Sequence, residues 1–283
     1  MEPVGRDGTY LITGGCGSLG QALTREILKH NPKSIRIFDN SEYGHWDMQE
    51  HLKDNRLRYF IGDVRDRDRL NRAMKGVDVV VHAAALKHVH LCEYNPIDAV
   101  KTNVIGSINV IDAALDCHVP KVVAISSDKA VHPVNLYGAT KAIMEKLFIQ
   151  SNVYGYTRFS CIRAGNFQGS MGSFMHKLYS ASDDETIQIT DKDMVRFWID
   201  IDSMSLFTMR CIKMMQGAEI FIPKMSERKV MDIVSDILPK AICEFIGSRP
   251  GERLHELLFA ETESPVDMGD YFVIRKEIEG GYL

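Results

Sequence analysis

No Cys-x-x-Cys pair occurs in the 283 residues; the six cysteines (16, 92, 117, 161, 211 and 243) are scattered. That argues against a disulfide framework or a zinc-finger-type site and suits reduced thiols in the cytoplasm. No apolar run approaches the ~20 residues a bilayer requires. The opening stretch Met1-Glu2-Pro3-Val4-Gly5-Arg6-Asp7 lacks the apolar core of a signal peptide. Excess positive charge is also missing: the formal net charge is −4, whereas nucleic-acid binders usually carry a basic face. Internal repeats and low-complexity tracts are absent. The expectation is a soluble cytoplasmic protein with neither a membrane nor a nucleic-acid partner. Apolar residues at 45% can furnish a sizeable core, and 25% charged is ordinary. The length allows one large α/β unit, or a main domain with a small appendage.

Tyr10-Leu11-Ile12-Thr13 reads as a strand, followed by Gly14-Gly15-Cys16-Gly17-Ser18-Leu19-Gly20 and a helical spacing from Leu19 to Lys29. Asn31-Pro32 ends that helix and Ser34 to Phe38 is a second strand. Strand, glycine-rich turn, helix and strand form a βαβ unit whose helix N-terminus offers free N–H groups to a pyrophosphate. Gly14, Gly17, Ser18, Leu19 and Gly20 are its candidate cofactor contacts. Asp39 ends the second strand; a carboxylate there can accept from the adenosine ribose and repel a 2′-phosphate. No arginine stands in Asp39-Asn40-Ser41-Glu42, so NAD is favoured over NADP. Asp39 could instead cap the helix that follows.

Arg58 to Ile61 is a third strand and Gly62-Asp63-Val64 its C-terminal edge, where Asp63 is a candidate for the adenine amino group. A charged helix spans Arg65 to Met74, and Asp78 to His82 is a fourth strand. Ala83 and Ala85 behind it let a cofactor lie close. Three histidines (82, 88, 90) and Cys92 invite a metal reading, but neither a carboxylate nor a cysteine pair completes a ligand spacing. No metal is expected. A long helix from Pro96 to about Asp116 carries Asn103 on its inner side. Lys121 to Ile125 is a fifth strand, delivering Ser126-Ser127-Asp128-Lys129 to the same edge of the sheet.

Tyr137 and Lys141 stand four apart at the start of a helix running to Gln150, hence on one face. A lysine beside a tyrosine favours the phenolate; the plainer alternative is a polar strand end capping an amphipathic helix. Thr157 to Arg163 is a sixth strand. Beyond Gly165 the alternation breaks down. Short strands at Thr186 to Thr190 and Glu219 to Ile222, a helix from Asp202 to Gln216 and a final helix from Arg253 to Phe259 suggest a capping region. The expected fold is a Rossmann-type doubly wound parallel sheet. Residues 1–164 form its NAD(P)-binding domain with the catalytic groups, and 165–283 a mainly substrate-binding region with some segments returning to the sheet.

Thr13 to Gly20, with Tyr137-x-x-x-Lys141 and Ser127 ten residues upstream, resembles the extended short-chain dehydrogenase/reductases. Several further segments resemble their polysaccharide-biosynthesis branch, whose members include inverting UDP-N-acetylglucosamine 4,6-dehydratases. They are Ala85-Leu86-Lys87-His88-Val89, Cys92-Glu93-Tyr94-Asn95-Pro96, Ser127-Asp128-Lys129-Ala130, Arg196-Phe197-Trp198 and Arg249 to Glu256. The resemblance implies transient oxidation of the sugar at C4, loss of the C5 proton, departure of the 6-hydroxyl as water, return of hydride to C6, and inversion at C5. Tyr137, assisted by Lys141, would take the 4-hydroxyl proton while Ser127 holds that hydroxyl. Lys129, its amine depressed by neighbouring cations, would take the C5 proton, and protonated Asp128 would serve the leaving hydroxyl. Ser126, Lys87 and Asn103 would join the cofactor contacts, and Lys87, Lys129, Asn166, Arg196 and Arg249 would hold the UDP-sugar. Relatives are homo-oligomers, and the same is expected here. Asp39-Asn40-Ser41-Glu42 resembles the retaining dehydratases of the branch, whereas Tyr137 is a residue those commonly replace. A retaining dehydratase, a 4-epimerase (which would need no Asp128-Lys129 pair) and a catalytically silent scaffold are the alternatives.

Overall fold

A computed structural model describes residues 7–182 and 185–276. In chain order its first half comprises β1 (Thr9–Thr13), α1 (Ser18–Leu28), β2 (Ser34–Asp39), α2 (Glu42–His51), β3 (Leu57–Ile61), α3 (Arg67–Met74), β4 (Val79–His82), α4 (Val89–Tyr94), α5 (Pro96–Val100), α6 (Gly106–Asp116), β5 (Lys121–Ser127), α7 (Leu136–Gln150) and β6 (Arg158–Ala164). The remainder comprises β7 (Asn166–Gln168), α8 (Phe174–Ser180), β8 (Thr186–Ile189), β9 (Val195–Asp200), α9 (Ile201–Met214), β10 (Glu219–Pro223), β11 (Ser226–Lys229), α10 (Val230–Ile237), β12 (Ile242–Phe245), β13 (Val266–Asp267) and β14 (Tyr271–Arg275).

The main sheet has nine strands in the order β13-β14-β10-β6-β5-β4-β1-β2-β3. From β3 to β10 every pairing is parallel, and β14 and β13 close the edge antiparallel. This is the Rossmann-type doubly wound sheet, with its change of strand order between β1 and β4. Strands β1 and β4 are buried along their whole length, as near-continuous apolar runs covered on both faces must be. One apolar cluster on Tyr10, Ile12, Leu23, Ile27, Val81 and Phe207 fills one face of the sheet. Another on Leu11, Phe38, Val80, Ala113, Phe148 and Phe159 fills the other. A third, smaller cluster on Met175, Ile189, Trp198, Val230 and Val234 sits under two small sheets, β11-β9-β7 and β12-β8.

The expected long helix from Pro96 runs through α5 and α6, but Lys101–Ile105 between them forms a π-helical turn. Helix α2 is the helix that follows Asp39, whose bounds the sequence does not mark. Its polar, aromatic sequence has no regular apolar stripe, and it buries only His45 and Met48. Arg253 to Phe259 is not a helix. Its backbone is drawn into tertiary bonds instead: Val195 N–H donates to the Leu254 carbonyl, and Val195 bridges to His255. Arg253 meanwhile donates to the carbonyls of Val131 and His132.

Candidate active site

A cleft of about 1690 Å³ opens along the C-terminal edge of the parallel strands. At its centre Gly14 has φ +67°, and a Cβ there would stand 2.8 Å from the Ala84 backbone. A Cβ on Gly20 would come within 2.5 Å of the Gly15 carbonyl. Only glycine lets the turn after β1 close against both β4 and the first turn of α1. No side chain caps α1, so its first N–H groups are left for an anionic ligand. Gly14, Gly17, Ser18, Leu19, Gly20, Asp39, Asp63, Val64, Ala83, Ala85 and Ser126 all line the cleft. This cradle fits a dinucleotide.

Asp39 accepts from the backbone N–H groups of Cys16 at 3.1 Å and Ser41 at 3.0 Å. Ser41, rather than Asp39, caps α2 by accepting from Gly44 N–H. Asp63 already accepts from Arg65, whose guanidinium holds its carboxyl below the usual range. Asn103 does not line the cleft. Its carboxamide is fully engaged, accepting from Leu86 N–H at 2.8 Å and donating to the Leu86 carbonyl at 2.9 Å and Thr140 Oγ1 at 3.0 Å. Asn103 therefore clamps the loop after β4 to α7, which replaces the expected cofactor contact.

Strand β5 stays buried to its last residue, Ser127. A short 3-10 turn over Asp128–Ala130 follows, and α7 begins after Asn135, whose side chain accepts from Gly138 N–H. A Cβ on Gly138 would lie 2.2 Å from the Lys129 carbonyl oxygen, so glycine lets α7 press directly on this turn. The result is a compact polar set. Ser127 Oγ donates to Asp128 Oδ1 at 2.9 Å, and Lys129 Nζ donates to the same oxygen at 3.0 Å. Asp128 is fully buried, and its Oδ2 has no hydrogen-bond partner. Glu256, 8% exposed, brings its Oε1 to 3.5 Å from Lys129 Nζ.

Two electrostatic expectations are corrected. Burial pulls the Lys129 amine down, but Asp128 and Glu256 outweigh it together and the amine titrates above its ordinary value. Burial pushes the Tyr137 phenol up to about 12; the opposing influences are Lys129 and Ser127, not Lys141. Lys141 instead donates to the Ile125 carbonyl at 2.8 Å and lies 3.7 Å from Met144 Sδ, held at about 8 by burial. Four-residue spacing put both side chains at one helical face without making them partners.

Lys87, Asn166, Arg196 and Arg249 line the other side of the cleft with Lys129, Tyr137 and Lys141. Lys87 Nζ donates to Ser170 Oγ and the Met171 carbonyl. Arg196 is buried and donates to the carbonyls of Val195 and Leu254, whereas Arg249 is exposed. Among the described residues, no group of three or more His, Cys, Asp or Glu side chains is placed to hold a metal ion. His82 bonds with Thr13 and Ser107, and burial lowers it to about 3. Glu256 was missed as a site residue. The only signal was its place in the Arg249 to Glu256 segment, because an isolated acid with no periodic pattern announces no role.

Residues 10–276 match the family model described as "Polysaccharide biosynthesis protein". An uncharacterized membrane protein of Methanocaldococcus jannaschii is 42% identical, covering 95% of this chain and 86% of the relative. A UDP-N-acetylglucosamine 4,6-dehydratase (inverting) of Campylobacter jejuni is 43% identical, covering 95% and 83%. A UDP-glucose 4-epimerase of Rickettsia bellii is 39% identical with the same coverage. Among solved structures, Pen from Bacillus thuringiensis superposes with a TM-score of 0.92 at 36% identity, covering 98% of this chain and 92% of that one. DesIV, a dTDP-glucose 4,6-dehydratase of Streptomyces venezuelae with NAD bound, does so at 0.82 and 23%, covering 89% and 88%. Among the described residues, no helix is long and apolar enough to cross a membrane. The chain belongs to the polysaccharide biosynthesis protein family.

Proposed function

We propose that this enzyme is a nucleotide-sugar 4,6-dehydratase acting on UDP-GlcNAc with inversion at C5. The observation that carries the reading is the ion pair between buried Asp128 and half-buried Lys129, beside Ser127 and Tyr137. An acid and an amine 3.0 Å apart are what elimination across C5 and C6 requires, and a 4-epimerase has no use for them. The relative named as an inverting UDP-GlcNAc 4,6-dehydratase supports this; the relatives named as 4-epimerases make epimerisation the rival. Residues 1–164 supply the cofactor and proton-transfer groups, and residues 165–283 mainly the substrate contacts. The protein works as a homo-oligomer in the cytoplasm.

The glycine turn and the α1 N-terminus would hold a dinucleotide pyrophosphate, and Asp39 would favour NAD over NADP by accepting from an unphosphorylated ribose. When bound, the nicotinamide supplies the reversible oxidation at C4 that acidifies the C5 proton. Tyr137 Oη takes the proton of the 4-hydroxyl while Ser127 Oγ orients that hydroxyl. Lys129 Nζ takes the C5 proton, and Asp128 protonates the departing 6-hydroxyl. Moving one proton from Lys129 Nζ to Asp128 Oδ1 turns the resting ion pair into amine and acid.

Incubation with UDP-GlcNAc in D₂O, read by mass spectrometry and NMR, tests the reading. Loss of water with deuterium at C5 and inverted configuration is expected; UDP-GalNAc of unchanged mass would make the enzyme an epimerase.

A further inference from the structure

The proton inventory of this set exposes a shortage of proton acceptors that Asp128 and Lys129 cannot meet alone, given the dehydratase reading on which this inference rests. The resting set is Tyr137 as phenol, Lys129 as ammonium and Asp128 as carboxylate. Phenolate forms when the phenol proton passes through Lys129 to Asp128. Tyr137 then takes the 4-hydroxyl proton, leaving phenol, ammonium and carboxylic acid. Deprotonation at C5 now needs Lys129 as free amine while Asp128 keeps its proton for the leaving hydroxyl. One proton must therefore leave Lys129 and go somewhere other than Asp128.

Among the described residues, Glu256 is the other carboxylate in contact with Lys129, with Oε1 at 3.5 Å from Nζ. The remaining charged neighbour from an adjacent strand is Arg196, a cation that cannot accept a proton. Glu256 sits on no helix or strand, yet it is held in place. Asn135 Nδ2 donates to the Gly251 carbonyl at 2.8 Å, Arg253 reaches the Val131 carbonyl, and Arg196 and Val195 N–H both donate to the Leu254 carbonyl. These bonds tie the segment to the start of α7, the 3-10 turn and β9. A buried carboxylate anchored so firmly beside a catalytic amine is costly to keep without use.

We infer that Glu256 is a proton-holding residue, acting through Lys129, that stores the proton released by the sugar 4-hydroxyl from the oxidation at C4 until C5 is reprotonated. The accounts close. The set gains the 4-hydroxyl proton and the original C5 proton, and loses one proton to the departing hydroxyl as water and one to C5. No net proton is taken from solvent or released to it, so turnover does not depend on solvent proton concentration while Glu256 starts as carboxylate. Without Glu256, the reactive state holds one proton fewer than the set contains after C4 oxidation. That proton must then escape to solvent.

The test is the pH dependence of kcat and KM for UDP-GlcNAc in the wild type, Glu256→Gln and Glu256→Asp, with C5 deuterium incorporation followed in the same samples. The wild type gives a kcat plateau through neutral pH, whereas Glu256→Gln gives a kcat that climbs about tenfold per pH unit, with KM within about threefold. Glu256→Asp keeps the carboxylate on a shorter arm and retains the plateau at reduced height. NMR titration of the Lys129 amine without substrate moves to lower pH in Glu256→Gln, because an anion has been removed from its side. A flat profile in Glu256→Gln, at whatever height, or a climbing one in Glu256→Asp, overturns the inference and leaves the dehydratase reading intact. Absence of dehydration by the wild type overturns both. Should Glu256→Gln fail to fold, the Glu256→Asp profile alone decides.

Discussion

Replacing Lys141 by methionine should stabilise the protein. The side chain is 3% exposed, and its amine meets one carbonyl and one thioether, with no ion pair among the described residues. Burial lowers it from 10.5 to about 8; at about 1.4 kcal/mol per pH unit, holding it charged at neutral pH costs about 3 kcal/mol. Methionine has similar length and no charge to desolvate, but it leaves the Ile125 carbonyl without this donor, which takes back about 1 kcal/mol. The net gain is about 2 kcal/mol at pH 7. The sign with pH follows from the lowered value. Between about 8 and 10.5 the folded state has shed the proton while the unfolded chain still binds it, so wild-type stability rises with pH. The advantage of Lys141→Met is thus complete below about 8 and gone above 10.5. Urea denaturation followed by circular dichroism at both ends of that range measures it. A variant less stable than wild type at pH 7, or an advantage that grows with pH, would refute the burial argument.

Arg163→Met should cost about 3–5 kcal/mol, because it strands Glu145 and Glu263, now paired to one buried guanidinium at 2.7 and 2.8 Å. The Glu263 carboxyl is held below its ordinary range, a stabilisation present above that range and lost as pH falls, so urea midpoints of variant and wild type should converge in acid. Gly251→Ala forces a side chain at φ +82° and sets its Cβ 2.9 Å from that of Asn135. The strain, about 1–2 kcal/mol, should loosen the segment carrying Arg249 and Glu256 and raise KM about tenfold; an unchanged KM would detach that segment from substrate binding. Calorimetry should find NAD bound at least about tenfold tighter than NADP, and the reverse order would refute the role given to Asp39.

The parallel half of the fold was legible because its signals are local. Apolar runs such as Val79 to His82 and Val122 to Ile125, punctuated by glycine and proline, fix strands and helices within a residue or two. The glycine turn, Asp39 and the Ser126 to Lys141 stretch could be placed at one edge because a doubly wound sheet brings all its strand ends there. What could not be read was the pairing of side chains. Lys141 and Tyr137 share a face by spacing, but whether an amine turns to a phenol or to a carbonyl is decided by packing against β5. Lys129 was expected to be a depressed amine among cations, and two carboxylates reverse that; one of them lies 127 residues away in sequence. The misread helix at Arg253 to Phe259 has the same origin. Its residues answer to partners on β9 and the 3-10 turn rather than to one another.

That segment alters how the site is divided along the chain. Were the capping region only a cover over a finished catalytic centre, its loss would affect substrate affinity and leave the proton chemistry of β5 and α7 unchanged. Glu256 and Arg196 make that division untenable, because they are the anion and the cation that, with Asp128, set the charge on Lys129. The charge on Lys129 is thus decided jointly by the sheet edge and by a segment that reaches it through Arg253, Asn135 and Val195. Any movement that draws Glu256 away from Lys129 removes one of the two anions that raise the amine, and with it the carboxylate proposed above to hold its proton. Rapid-mixing experiments on Gly251→Ala should accordingly show C5 exchange slowing together with substrate binding; exchange at the wild-type rate once substrate is bound would separate the two.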